Sequence, residues 1–167
     1  MTSPGRITFA VAALTAAIAA QGAAAGTTFS GNPCRLLSAK QVTAFGIQTQ
    51  CSPTTRQGPG FTSSVAAWNL EATGLQPHLS ISINTYSSKS GALWQLAMKT
   101  LTTLPGEAKK VSGIGSIAYE SGADGSALSA ITFVVGNQVV NINMRTTKAP
   151  SALTKFNALA KSVAAKL

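Results

Sequence analysis

The clearest pattern of apolar and polar positions lies in residues 128–145, LSAITFVVGNQVVNINMR. Gly136 and Asn137 stand between two β-rich runs, and both residue types tolerate the positive φ of a two-residue hairpin turn. A turn here places Phe133 opposite Val140, and directly opposed residues share a face of a sheet. One face then carries Ile131, Phe133, Val135, Val140, Ile142 and Met144. The pattern therefore predicts a hairpin whose register is fixed by its apolar face.

A second alternating run occupies residues 78–86, with Leu79, Ile81 and Ile83 on one face. The other face of this run carries Ser80, Ser82 and Asn84. Such alternation is typical of a strand that is buried on one side. Two further strands are predicted at residues 61–71, around Trp68, and at residues 116–120. Turn-rich composition predicts connectors at residues 52–60, at 107–112 and at 121–126, where Asp124-Gly125 suits a hairpin.

Apolar residues at helical spacing predict three helices. The first covers residues 36–46, where Ser38 and Gln41 form a capping-box pattern and Gly46 suits the helix end. The second covers residues 88–104, with the inner stripe Leu93, Leu96, Ala97, Thr100, Leu101 and Leu104, and with Trp94 and Met98 beside it as further core residues. The last opens at Pro150, and its stripe is Ala152, Phe156, Leu159, Val163 and Leu167.

These elements together predict an α+β domain of order αββαβββα. Its antiparallel sheet has about five strands, and the helices pack on one face of it. The opposite face is then polar and uncovered, and it is the expected place for binding through the sheet: Ser80, Ser82, Asn84, Thr132, Asn141, Asn143 and Arg145. The alternative is a face that is simply solvated, since one-sided antiparallel sheets are common.

The first 25 residues have the pattern of a secretion signal. Arg6 supplies a positive start, residues 7–20 are apolar, and Ala23-Ala24-Ala25 offers a cleavage site. The apolar run is shorter than the roughly 20 residues that span a membrane, and no other stretch qualifies. The prediction is therefore a signal at 1–25 and a single domain at 26–167, secreted or held in the periplasm or cell envelope. An uncleaved N-terminal anchor helix is the alternative.

The charge balance is strongly basic, with 13 Lys and Arg against four Asp and Glu, giving a net charge of +9. Such a balance attracts anionic partners without specificity. For an exported chain, these are envelope polymers or anionic lipid head groups rather than nucleic acid. The same net charge also serves solubility, which is the simpler interpretation.

Cys34 and Cys51 are the two cysteines of the chain. In an exported protein a disulfide is the expected state, and two cysteines allow one pairing. A reactive thiol would need a nearby base, and nothing in the sequence ties His78, the one histidine, to either cysteine. The sequence therefore predicts a structural disulfide.

Candidate catalytic and cofactor motifs are rejected, because the residues around them do not match what each motif requires. Gly113-x-Gly115-x-x-Ala118 matches a dinucleotide loop superficially, but a Lys-rich loop precedes it and a strand, not a helix, is predicted to follow it. Asp124 has no second carboxylate at metal-ligand spacing. Paired carboxylates, a second histidine and a placed nucleophile are all missing from the sequence. We therefore expect no catalytic residues, no metal and no cofactor.

Several short motifs give the chain a family resemblance. Asn32-Pro33-Cys34-Arg35-Leu36-Leu37-Ser38 resembles the opening of an uncharacterised actinobacterial family of exported proteins and lipoproteins, a domain of unknown function. Gly46, Trp68 and the segment Gly113–Tyr119 match its later landmarks. The chain departs from it at Ala67, where members often carry the second cysteine, at Ser116, where Asp is usual, and in lacking a lipoprotein cysteine. The resemblance implies an envelope-located α+β domain, and at fold level the order is similar to Mog1/PsbP-like adaptor domains.

The function expected on these grounds is that of a secreted, non-catalytic binding or accessory protein of the bacterial cell envelope. Its expected partner is an anionic envelope polymer or another envelope protein. The alternative is a carrier of a small apolar ligand held between sheet and helices by Trp68, Trp94 and Phe61. A third reading is an enzyme whose site is assembled from Ser, Thr and Tyr residues.

Overall fold

The structure is a computed structural model, and it describes residues 29–69, 77–102, 108–121, 128–145 and 151–167. The expected signal at 1–25, the turn at Asp124-Gly125 and the helix start at Pro150 lie outside these residues. The described strands are β1 (Cys51–Gly58), β2 (Phe61–Trp68), β3 (His78–Tyr86), β4 (Lys109–Val111), β5 (Ile117–Ser121), β6 (Leu128–Val135) and β7 (Gln138–Arg145). The helices are α1 (Ala39–Thr43), α2 (Lys89–Thr102) and α3 (Ser151–Ala164), with a short 3-10 helix at Pro33–Leu36.

All described strands join one antiparallel sheet in the order β1-β2-β3-β7-β6-β5-β4. The α+β class is confirmed, but the sheet has seven described strands where about five were expected. The two strands missed are β1 and β4, both predicted as connectors and both at the edges of the sheet. An edge strand pairs on one side only, so its exposed side chains need not alternate. Pro53 is tolerated in β1 for the same reason.

The hairpin of β6 and β7 has the predicted register, with Phe133 opposite Val140 and Val135 opposite Gln138. Gly136 has a φ of 57°, while Asn137 keeps a negative φ. This is the φ pattern of a type II′ turn, which requires glycine only at its first central position. β3 and β7 are the central pair of the sheet, and Ile81 lies opposite Ile142 between them.

The first helical segment is shorter than predicted and is divided in two. The 3-10 helix ends at Leu36, and α1 starts after Ser38. The predicted capping box is present: the Ser38 hydroxyl accepts from the Gln41 backbone N–H at 3.3 Å, and Gln41 Oε1 accepts from the Ser38 N–H at 2.9 Å. Gly46, with a φ of 74°, lies in the turn after α1.

Cys34 and Cys51 form the predicted disulfide, with an S–S distance of 2.05 Å and a Cα–Cα distance of 5.9 Å. It links the 3-10 helix to the first residue of β1. Leu36, Val42 and Phe45 then pack into the main core beside Trp68. The bridge therefore attaches the N-terminal helical segment to the sheet edge that it covers.

The helices pack on both faces of the sheet, so the expectation of a single covered face is wrong. The main core lies on the face of Ile81, Phe133 and Ile142, and from α3 it takes Phe156, Leu159, Ala160 and Val163. A second, smaller cluster lies on the opposite face, where Ala92 and Leu96 of α2 pack on Val134 and Val139. Those two valines break the polar pattern of that face close to the hairpin turn. They form the apolar patch that α2 buries.

The inner stripe of α2 is also shifted from the prediction. Ala92 and Leu96 are buried, but Leu93 is 38% exposed and Trp94 is 60% exposed. The predicted core role of Leu93 and Trp94 is therefore wrong. Leu104 lies outside the described residues, as do the side chains of Ala97, Met98, Thr100, Leu101 and Ala152.

Candidate functional site

The seven residues predicted for a binding face do share one face of the sheet. We call this side, which also carries α2, the polar face. Strand pairing aligns Ser82, Asn141 and Thr132 in one row across β3, β7 and β6. Ser80 and Asn143 are opposed in the next row, Asn84 is opposed to Val139, and Arg145 is opposed to His78. The alternation of three predicted strands, β3, β6 and β7, was therefore sufficient to group them.

The polar face is not the open surface that was expected. Thr132 and Asn141 are 1% and 5% exposed, whereas the other five predicted residues are half-buried. Inside the sheet layer, Asn141 Nδ2 donates to Thr132 Oγ1 at 2.9 Å. α2 packs at the hairpin end of the same face, on Val139 and its neighbour Val134. One end of the face is therefore covered by α2. The polar row beside it is partly buried.

Two buried polar atoms of this face lack a hydrogen-bond partner among the described residues, Asn141 Oδ1 and Ser121 Oγ. Ser121 is 4% exposed and is opposed to Ala130 on β6, which places it one strand beyond the predicted group. Buried polar atoms are nearly always hydrogen-bonded, to protein, water or ligand. The two oxygens are therefore buried polar atoms whose hydrogen-bonding capacity is unused among the described residues.

Sequence reasoning missed Ser121 and Tyr119, which extend the polar face across β5. Tyr119 is opposed to Thr132, so it continues the row of Ser82 and Asn141. The alternation of Ile117, Tyr119 and Ser121 was available in the sequence, but β5 is only five residues long. Its register depends on the connection before β6, which short alternation alone does not determine.

Described charged residues on the side of the polar face are all cationic: Arg56, Lys89, Lys110 and Arg145. Arg56, Lys89 and Lys110 are exposed, and Arg145 is half-buried. Glu120, the acidic residue within the described ranges, lies on the other side of the sheet. There its Oε2 accepts a hydrogen bond from Asn157 Nδ2 of α3 at 3.0 Å. Within the described ranges, the charges on the side of the polar face are therefore positive.

Tyr86 lies at the hairpin end of the polar face. Its backbone N–H donates to the Asn137 carbonyl at 3.0 Å, and its carbonyl accepts from Asn137 Nδ2. Its ring lies 5.5 Å, centroid to centroid, from the ring of Phe61. Burial raises the pKa of the Tyr86 phenol, because it disfavours the charged phenolate. Tyr86 therefore remains neutral at physiological pH and acts as a packing residue.

Residues proposed to hold a small apolar ligand do not come together. Trp68 is 2% exposed in the main core, on the face opposite to α2. Trp94 points to solvent from α2, and Phe61 contacts Tyr86 on the polar face. The three aromatic side chains therefore do not line one cavity.

The glycine segment at residues 113–115 follows strand β4 and leads into strand β5, not into a helix. Gly115 has a φ of 56°, and a Cβ atom there would lie 2.2 Å from the Val134 carbonyl oxygen. The same oxygen accepts from the Ser116 N–H at 2.8 Å. The glycine thus allows the loop to approach β6 closely, which is a structural requirement at this position.

Over the part of the chain that the structure describes, no three His, Cys, Asp or Glu side chains are grouped as metal ligands. In the same ranges no helix is long and apolar enough to cross a membrane. No family model matches this chain, and neither a curated protein nor a solved structure matches it. The resemblance to the actinobacterial family therefore stays a prediction.

Proposed function

We propose that this chain is a non-catalytic binding or accessory protein of the bacterial cell envelope, and that it binds through the polar face. The observation that carries the proposal is the row of hydroxyl and amide side chains that Ser82, Asn141 and Thr132 form across the polar face. Within this row, the side-chain oxygen Oδ1 of Asn141 is buried and has no hydrogen-bond partner among the described residues. A buried acceptor without a partner is costly, and a ligand that enters the row with a donor group would satisfy it.

The chemistry of the face favours a ligand that bears both hydroxyls and negative charge. Ser80, Ser82 and Asn143 are half-buried, so their polar atoms remain accessible to hydroxyl groups of a ligand. Arg145 lies on the same strand as Asn143 and supplies a cationic fork for a phosphate or carboxylate. An anionic, hydroxyl-bearing envelope polymer combines the two requirements. Another envelope protein that presents acidic and hydroxyl side chains is the alternative partner.

The disulfide supports an extracytoplasmic location for this function. Disulfides such as Cys34–Cys51 persist in oxidising compartments and are rare in the cytosol of most organisms. The apolar, small-residue start of the sequence is the proposed export signal.

Binding to purified anionic cell-wall glycopolymer tests the proposal, with a neutral glucan as the comparison ligand. We expect measurable binding to the anionic polymer that weakens steeply as salt rises. Arg145→Gln should reduce the affinity about tenfold, since it removes a charge-assisted hydrogen bond. Lys161→Gln is the matched control, because Lys161 lies on α3 across the sheet. Equal losses in the two variants, or no binding at all, would count against the polar face.

A further inference from the structure

Trp94 is directed away from the sheet by the geometry of α2. Ala92 and Leu96 are the buried contacts of this helix with β6 and β7. Residues of an α-helix follow one another at about 100°, so Trp94 lies roughly 180° from the mean direction of Ala92 and Leu96. The indole is therefore at the outermost point of the α2 layer, which agrees with its 60% exposure.

Trp94 and Leu93 are the large hydrophobic residues exposed among the described side chains. They are adjacent in the chain, and together they present an apolar projection on α2. Helix α3 offers a direct comparison, because its apolar residues Phe156, Leu159 and Val163 are all buried. Its exposed positions include Lys155 and Lys161 instead. The outward apolar side chains are thus a property of α2 and not of helices in this protein generally.

Three described cations lie on the side of the sheet that carries α2. Lys89 lies one helical turn before Leu93 and is exposed. Arg56 of β1 lies in the same cross-strand row as Val139 of β7. The two strands are three positions apart in the sheet, so their backbones are separated by about 14 Å. Lys110 extends from β4 on the opposite flank of the sheet. Among the described residues, the charges on this side are therefore all positive.

We propose that α2 docks this protein onto an anionic lipid bilayer, with Trp94 and Leu93 inserted at the interface. An indole is well suited to this depth, because it has an apolar body and a polar N–H. Lys89, Arg56 and Lys110 contact lipid phosphates around it, and this attraction extends over about one Debye length. Apolar insertion and charge attraction together determine the strength of interfacial binding. The proposal rests on Trp94 and Leu93 of α2 together with cations of the same side of the sheet, and the Trp94→Ser variant distinguishes it from polymer binding through Arg145.

The test is flotation of the full chain with two kinds of vesicle, phosphatidylcholine alone and phosphatidylcholine with phosphatidylglycerol. We expect binding to the anionic vesicles, lost in high salt, together with a blue shift of tryptophan emission. Trp94→Ser should lower the binding constant at least tenfold and abolish the blue shift, since Trp68 is already buried.

Two charge reversals provide the matched comparison, and circular dichroism confirms that each variant folds. Lys89→Glu should weaken vesicle binding roughly tenfold. Lys161→Glu, on the other side of the sheet, should weaken it much less. Equal effects of these two variants would overturn the docking orientation.

Two other results would show that the Trp94 and Leu93 surface of α2 is not where an anionic bilayer binds, and either result would overturn the proposal. Binding to both vesicle types that is unaffected by Trp94→Ser would place the lipid contact in the apolar residues 7–20. Dimerisation in analytical ultracentrifugation that Trp94→Ser removes, without vesicle binding, would show that a second copy covers α2.

Discussion

Asn141 and Thr132 form a buried hydrogen-bonded pair on neighbouring strands, on a face that alternation marks as polar. Alternation alone predicts their side of the sheet, because the period of a strand is two residues. It does not predict their burial, which depends on what lies above them in the fold. Ser82 on β3 and Asn143 on β7 follow the same alternation and are only half-buried.

The pair predicts a specific double-mutant cycle. Thr132→Val leaves the Asn141 amide without its acceptor, and Asn141→Leu leaves the Thr132 hydroxyl without its donor. Each single variant should lose about 1–3 kcal/mol of unfolding free energy, since an unsatisfied buried group carries its full desolvation cost. The double variant should recover most of that loss, because both partners are then apolar. Urea unfolding measures all four proteins, and additive losses would contradict a coupled buried pair.

Short edge elements explain most of what the sequence did not predict about the fold. β1 carries Thr, Arg, Gln and Ser side chains that are exposed, so it lacks the alternation that identified β3. β4 has only three residues. The placement of α2 failed for a different reason. Apolar residues at 92, 93, 94 and 96 allow more than one inward stripe, and only Val134 and Val139 decide between them.

We expect alanine to destabilise the protein unequally at two glycines, one in the loop between β4 and β5 and one in the turn between β6 and β7. Gly115 and Gly136 have nearly the same φ, 56° and 57°. A Cβ at Gly115 would collide with the Val134 carbonyl, whereas a Cβ at Gly136 has no atom within 4 Å. Gly136→Ala should therefore cost about 1–2 kcal/mol from backbone strain alone. Gly115→Ala should cost about 3 kcal/mol or more, because the loop must also move. Similar losses in thermal unfolding would refute the close approach.

We expect the disulfide of the N-terminal segment to contribute measurably to the free energy of unfolding. The bridge joins residues 17 apart. Replacing both Cys34 and Cys51 with serine should lower the unfolding free energy by about 3 kcal/mol, mainly through the entropy of the unfolded chain. Reduced wild-type protein should match the double variant in urea unfolding. A variant as stable as the oxidised protein would show that the bridge does not constrain the fold.

The whole molecule is a seven-stranded sheet, over its described strands, with helices on both faces. α1 and α3 cover an apolar core, while the described side chains of α2 pack on the hairpin end of the polar face. The sequence predicted the α+β class, the disulfide and the grouping of the seven polar residues. It could not place α2 above them, since long-range packing and not local pattern decides which face a crossover helix covers. The partly covered polar face is the central feature of the proposed binding function.

Amide chemical-shift mapping of the ¹⁵N-labelled protein, titrated with anionic cell-wall glycopolymer, tests that feature most directly. Binding through the polar face predicts shifts concentrated in β3, β6 and β7, including Ser82, Asn143 and the side-chain amide of Asn141. Resonances of α1 and α3 serve as internal controls and should stay unchanged. Shifts confined to α1 and α3, with β3 and β7 unaffected, would contradict binding through the polar face.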